Sequence, residues 1–95
     1  MNYEKFSQEI TANGFEIEYT GGGCSAWVYE RPDGCVVWVH QDLRHAIDED
    51  LLPTPDGAVE VGISRDFSTV RFTLTHSLRE ASRLAVGYIN EEVTA

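Results

Sequence analysis

The sequence predicts a small α+β domain in which about five antiparallel strands lie between an N-terminal and a C-terminal helix. Three observations support this fold class. Apolar residues recur at three- and four-residue spacing near both ends, they alternate with polar residues in between, and glycine- or proline-containing turns separate the alternating segments. The 95 residues suit a single domain over 1–95 with one core. We therefore expect a two-layer sandwich, with both helices on one sheet face and the other face at least partly open.

The first element is a helix over residues 3–12. Asn2 has a side chain that can cap its first turn, and Asn13–Gly14 supplies a left-handed stop. The apolar residues of this segment recur at helical spacing: Tyr3, Phe6 and Ile10. A strict alternation follows, with Phe15 and Ile17 as apolar members, and predicts a half-buried strand that the glycine run 21–23 ends.

The strongest local pattern is a pair of β-rich segments around Pro32-Asp33-Gly34. Proline, aspartate and glycine in this order are typical of a tight turn, so residues 24–31 and 35–41 should form a hairpin. A three-residue loop fixes the register of the two strands. The opposed pairs are then Arg31 with Cys35, Tyr29 with Val37, and Trp27 with Val39.

This register places the two cysteines on different faces of the sheet, and it does the same for the two tryptophans. Cys24 and Cys35 point to opposite sides, so we expect two free thiols rather than a disulfide. Trp27 and Trp38 also point to opposite sides, so one belongs to the core. The other lies on the open face, either exposed or covered by the segment 42–57.

The second half of the chain begins with that connection, in which two prolines limit any helix to about one turn. Two alternating segments around a turn at 64–66 then predict two more strands. Ser77 and Glu80 match a capping box, so the last helix runs to about Asn90 and the tail 91–95 frays. We expect one core from residues of both helices and both strands: Phe6, Ile10, Val59, Val61, Val70, Phe72, Leu74, Leu78 and Leu84.

The charge balance narrows the classes of partner. Sixteen acidic residues against seven lysines and arginines give a net charge of −9 and a pI near 4.5. Such a field repels phosphate backbones and anionic membranes, so we expect no direct nucleic-acid or membrane binding, whereas a basic protein is attracted. The first residues lack a signal-peptide pattern and no apolar run approaches 18 residues, which favours a cytoplasmic protein.

No motif indicates catalysis. His40, His45 and His76 lie near acidic residues in the sequence, but their spacing matches no metal-binding pattern. No nucleophile motif surrounds either cysteine or Ser77. We therefore expect no enzymatic activity, no metal and no cofactor, and a small metal-dependent enzyme stays an alternative.

The acidic residues concentrate between positions 42 and 60, where Arg44 is the one basic residue. Such a segment is either only solvated, or it docks on a basic surface with the exposed tryptophan, Trp27 or Trp38, as an anchor. The partner-binding residues are then this tryptophan together with Asp42, Asp48, Glu49, Asp50, Asp56 and Glu60.

Nucleic-acid-binding proteins are the commonest class with strongly basic surfaces. In size, charge and architecture the whole chain resembles small acidic phage inhibitors of host nucleic-acid enzymes, such as DNA mimics and anti-CRISPR proteins. The resemblance implies an inhibitor without naming its target. The alternative is an accessory module that forms a homodimer through the open sheet face, so that monomer and homodimer are both compatible with the sequence.

Overall fold

Five strands and two helices follow the predicted order in the computed structural model, which describes residues 1–21, 24–41 and 58–93. The five strands form one antiparallel sheet in the order β1-β2-β3-β4-β5, so each strand pairs with its neighbours along the chain. The fold class is therefore confirmed, while the connection 42–57 lies outside the described residues. The elements are α1 (Tyr3–Ala12), β1 (Glu16–Gly21), β2 (Cys24–Glu30), β3 (Cys35–Gln41), β4 (Val59–Arg65), β5 (Ser68–Thr75) and α2 (Leu78–Ile89).

Both helices begin at the predicted side-chain caps. The Asn2 Oδ1 atom accepts a hydrogen bond from the Lys5 backbone N–H at 2.8 Å. The Ser77 Oγ atom accepts one from the Glu80 N–H at 3.2 Å. Each bond satisfies one of the amide groups that the first turn of a helix leaves without an intrahelical partner. Gly14, at φ +98°, then provides the left-handed residue after α1.

The β2–β3 hairpin has the predicted register, with Trp27 opposite Val39 and Tyr29 opposite Val37. Its turn is closed by a hydrogen bond from the Arg31 backbone N–H to the Cys35 carbonyl oxygen at 2.8 Å. The Asp33 carboxylate accepts bonds from the Cys35 N–H at 3.1 Å and the Arg31 guanidinium at 2.6 Å. The hydrogen bond from the Cys35 amide, followed by that from Arg31, lowers the pKa of Asp33.

The core lies between the helices and one face of the sheet, which we call the covered face. Alternate residues of β3 and β4, over 35–39 and 59–63, are buried there, together with Phe6 and Ile10 of α1 and Leu78 of α2. Leu84 is half-buried against the same cluster. The strand residues of β3 and β4 that are fully buried are Cys35, Val37, Val39, Val59, Val61 and Ile63.

The expected burial of β5 is wrong. Val70, Phe72 and Leu74 are 40%, 53% and 38% exposed. Because Val61 pairs with Thr73, the residue that shares the covered face with Val61 is a threonine, and the apolar residues of β5 point to the opposite face. The alternation of apolar and polar residues defines two faces of a strand. Which of these faces the helices cover depends on the register in which the strand pairs with the neighbouring strand.

Two local expectations also need correction. The β4–β5 turn lies at Asp66–Phe67 rather than at 64–66, since Arg65 and Ser68 still pair. The tail is attached as far as the structure describes it. The backbone oxygen of Glu91 accepts a 2.7 Å bond from Arg31 Nη1, and Val93 packs against the core.

The cysteine prediction is tested for one of the two thiols. Cys35 is free and buried on the covered face, and the side chain of Cys24 lies outside the described part of the chain. None of the described helices is long and apolar enough to cross a membrane.

Candidate protein-binding face

The sheet face opposite the helices, which we call the open face, carries the strongest concentration of exposed apolar groups in the described residues. Pairing aligns Val28, Trp38, Gly62 and Phe72 in one row across β2 to β5. The neighbouring row brings together His40, Glu60 and Leu74. Aromatic and aliphatic groups therefore form a continuous band across the middle of the sheet.

Trp38 is the tryptophan of this face, and Trp27 is not part of it. As predicted for one member of the pair, Trp27 lies in the core, with 4% of its surface exposed, so it is not the candidate anchor. Trp38 is half-buried, and its indole N–H donates a 2.7 Å hydrogen bond to Ser64 Oγ. Its ring stacks on the His40 imidazole with centroids 5.0 Å apart and planes 16° from parallel.

Gly62 explains how the indole reaches across the neighbouring strand. A Cβ atom built on this glycine would come within 2.2 Å of the Trp38 ring, a distance that real contacts do not allow. The ring therefore occupies the space that any side chain at position 62 would fill. A glycine inside a strand often marks such a close approach, and this was the sequence signal that could have placed Trp38 on the open face.

A concavity of about 530 Å³ opens beside the indole on this face. Its apolar wall includes Val28, Val36, Trp38 and Phe67. Three carboxylate side chains, those of Glu18, Glu30 and Asp66, line the same concavity. An apolar pocket with a few polar groups at its edge is the usual form of a small binding site.

The β4–β5 turn at the edge of this concavity has an unusual residue. Asp66 and Phe67 have φ values of +52° and +66°, as the type I′ form of a two-residue hairpin turn requires at both central positions. Glycine or asparagine normally occupies the second position, because a bulky side chain is strained in the left-handed region. The Phe67 side chain is nevertheless fully exposed, so no contact within the described chain compensates for the strain.

The charges around the open face have one sign within the described residues. Its acidic side chains are Glu16, Glu18, Glu30, Glu60 and Asp66. By contrast, Arg31 donates a hydrogen bond to the Tyr88 carbonyl oxygen of α2, and Arg71 forms an ion pair with Glu91 of the tail. The other described basic residues lie in the helices or on the covered face: Lys5, Arg65, Arg79 and Arg83. Among the described residues, the charged groups that border the apolar band are therefore all carboxylates.

The predicted site residues fall into two groups. Glu60 lies on the open face between His40 and Leu74. The other predicted acids, Asp42, Asp48, Glu49, Asp50 and Asp56, lie outside the described residues. Sequence reasoning missed Phe67, Phe72 and Leu74, because it assigned the β5 residues to the core and placed the turn two residues early.

For a metal centre, the described residues offer no group of three or more histidine, cysteine, aspartate or glutamate side chains that could hold an ion. His45 of the predicted ligand set lies outside these residues.

No protein-family model, no curated protein and no solved structure is significantly similar to this chain.

Proposed function

We propose that this protein is a small acidic interaction module that docks its open face on a positively charged protein surface, as an inhibitor of a nucleic-acid-binding protein. The observation that carries the proposal is the combination of an exposed apolar band with bordering charged groups that are all carboxylates in the described part of the chain. A surface of this kind matches a partner that offers apolar contact area surrounded by lysine and arginine. Proteins that hold nucleic acids present such basic surfaces most often.

The two parts of the face have different physical roles. Trp38 is held by Gly62, Ser64 and His40 before any partner arrives, so little side-chain freedom is lost when it is buried. Pre-ordered aromatic residues are typical of the few contacts that supply most binding energy. The carboxylates at the border, and the acidic segment up to Glu60, mainly attract the partner and exclude acidic competitors.

A second copy of the chain fits this face less well than a basic partner. Exposed Phe72 and Leu74 on the edge strand β5 do favour some pairing of apolar surfaces. However, each copy carries a net charge of −9, and a symmetric contact would bring the acidic borders of both faces together. The homodimer is therefore the second candidate, and the mass in solution discriminates: we expect a monomer.

The test uses affinity capture from a host lysate, followed by binding measurements with the purified partner. We expect a basic nucleic-acid-binding protein whose nucleic acid competes with this chain. The variant Glu18→Lys/Glu30→Lys changes the open face, and Glu9→Lys/Glu92→Lys makes the same charge change on exposed residues elsewhere. The first should weaken binding much more than the second. Equal effects of the two variants, or a partner that is acidic, would contradict the proposal.

The predicted acidic segment is tested separately with Asp48→Lys/Glu49→Lys/Asp50→Lys. This triple reversal should slow association more than it speeds dissociation, because peripheral charges mainly steer encounter. Binding should also weaken as added salt screens the field over about 8 Å at physiological ionic strength. If the triple reversal changes neither the association and dissociation rate constants nor the salt dependence of the affinity for a partner that binds, the segment has no part in docking. The open face then acts alone.

A further inference from the structure

Beside Trp38, the open face has a concavity whose lining suits a long basic side chain. Its volume is about 530 Å³, and its wall joins Val28 and Val36 to the indole. Glu18, Glu30 and Asp66 stand around it without a hydrogen bond or ion pair to any other described residue. Carboxylates with no internal partner, placed over an apolar wall, are available to a ligand that combines an aliphatic stem with a cationic end.

Phe67 gives an independent reason to expect a ligand at this position. It lines the concavity, yet its backbone has φ +66° and its side chain packs against nothing within the described chain. A large apolar side chain that is fully exposed beside an apolar wall adds to the surface that a partner can cover.

We infer that this concavity receives an arginine side chain of the protein partner. The methylene stem lies against Val28, Val36 and Trp38, and the guanidinium donates two parallel hydrogen bonds to the carboxylate of Glu30. Glu18 lies opposite Ala26, four residues along β2 from Glu30, so it contributes attraction at longer range. Arginine suits the site better than lysine, because its planar, weakly hydrated group can meet both oxygens of one carboxylate and lie against an aromatic ring. The inference rests on the proposed function, since it names the group on the basic partner that the open face recognises.

The inference can be tested without the partner, with hexa-arginine as the probe. Hexa-citrulline is the neutral control, because it has a side chain of the same length without the charge. Hexa-lysine is the second control, because it has the charge without the planar guanidinium group. We would follow amide and indole N–H signals of the full chain by NMR at low salt and at about 0.15 M salt. The buried Trp27 indole serves as an internal reference for the Trp38 indole.

We expect hexa-arginine to shift the signals of Val28, Val36, Trp38 and Phe67 more than those of the helices. Hexa-lysine should bind more weakly, and hexa-citrulline should cause no shift. The variant Glu30→Gln/Asp66→Asn should weaken binding by about tenfold, whereas Glu9→Gln/Glu92→Gln, which removes equal charge elsewhere, should change it by less than about twofold. Phe67→Gly should also weaken binding while leaving the fold intact.

Shifts spread over the acidic residues of the helices, or equal losses in the two charge-neutralising variants, would overturn the inference, because both indicate attraction by net charge alone. This failure is distinguishable from failure of the proposed function. If a basic partner docks on the open face but hexa-arginine gives only diffuse shifts, the arginine site is contradicted and the proposed function is supported. If hexa-arginine binds locally but no basic protein partner displaces it, the site is supported and the proposed function is contradicted.

Discussion

The two faces of the sheet both carry apolar residues, but those residues differ in their exposure to solvent. On the covered face, Val37, Val61 and Ile63 contribute to a core from which solvent is excluded. On the open face, Trp38 and Phe72 are of the same apolar class but remain in contact with solvent. The difference shows that both faces carry apolar residues and that the helices cover only one of them. The exposed apolar residues of the other face are available for binding.

The largest expected effect is a difference in stability between two phenylalanine variants, one in the core beside the covered face and one on the open face. Phe6→Ala should cost about 3–5 kcal/mol of unfolding free energy, because it leaves a cavity among fully buried neighbours. Phe72→Ala should cost less than about 1 kcal/mol, since more than half of that side chain is already exposed. Urea unfolding of both variants measures the difference. Similar costs would mean that the open face is as important to folding as the covered one.

These residues also show how far sequence reasoning reached. The helices, their caps and the β2–β3 register followed from local rules, because Asn2, Ser77 and Gly34 act within a few residues of their own positions. The face of β5 did not follow, since it depends on pairing with β4 across a turn occupied by Phe67, where local rules expect glycine. The candidate site was missed for the same reason: its exposed apolar residues have the pattern of a core strand.

The second prediction concerns two glycines. Gly62→Ala on the open face should destabilise the fold by about 1–3 kcal/mol and displace the indole, because the new Cβ would overlap the Trp38 ring. Gly87→Ala in α2 should instead stabilise it by up to about 1 kcal/mol, since nothing lies within 4 Å of the added atom. Thermal unfolding and tryptophan emission report both effects. An unshifted emission maximum in Gly62→Ala would show that Trp38 does not depend on this space.

The third prediction compares the two hairpin turns. Phe67→Gly should raise stability by about 0.5–1 kcal/mol, because relief of left-handed strain exceeds the entropy that glycine adds to the unfolded chain. Gly34→Ala, at φ +88° in the β2–β3 turn and with open space around it, should lower stability by about 1 kcal/mol. Chemical denaturation distinguishes the two signs. Loss of stability in Phe67→Gly would show that the phenyl ring supports the fold rather than a ligand.

The smallest effect is a pH dependence confined to the covered side. Hydrogen bonds from the Cys35 amide and from Arg31 lower the pKa of Asp33 in the folded chain. Asp33 therefore contributes its full stabilisation above the ordinary aspartate pKa of about 3.9, and that contribution is lost as the pH falls through the lower folded-state value. The same arginine donates hydrogen bonds to the carbonyl oxygens of Tyr88 and Glu91, so we expect protonation of Asp33 to weaken the attachment of the tail as well.

The matched variants for this effect are Asp33→Asn and Asp66→Asn, one in each hairpin turn. Asp33→Asn should reduce the difference in melting temperature between neutral pH and about pH 3. Asp66→Asn is the control, because the Asp66 carboxylate accepts no hydrogen bond and forms no ion pair within the described residues. Equal reductions in both variants would assign the acid sensitivity to overall charge instead of the Arg31–Asp33 pair. A reduction in Asp33→Asn alone would assign this part of the acid sensitivity to Asp33 and its hydrogen bonds.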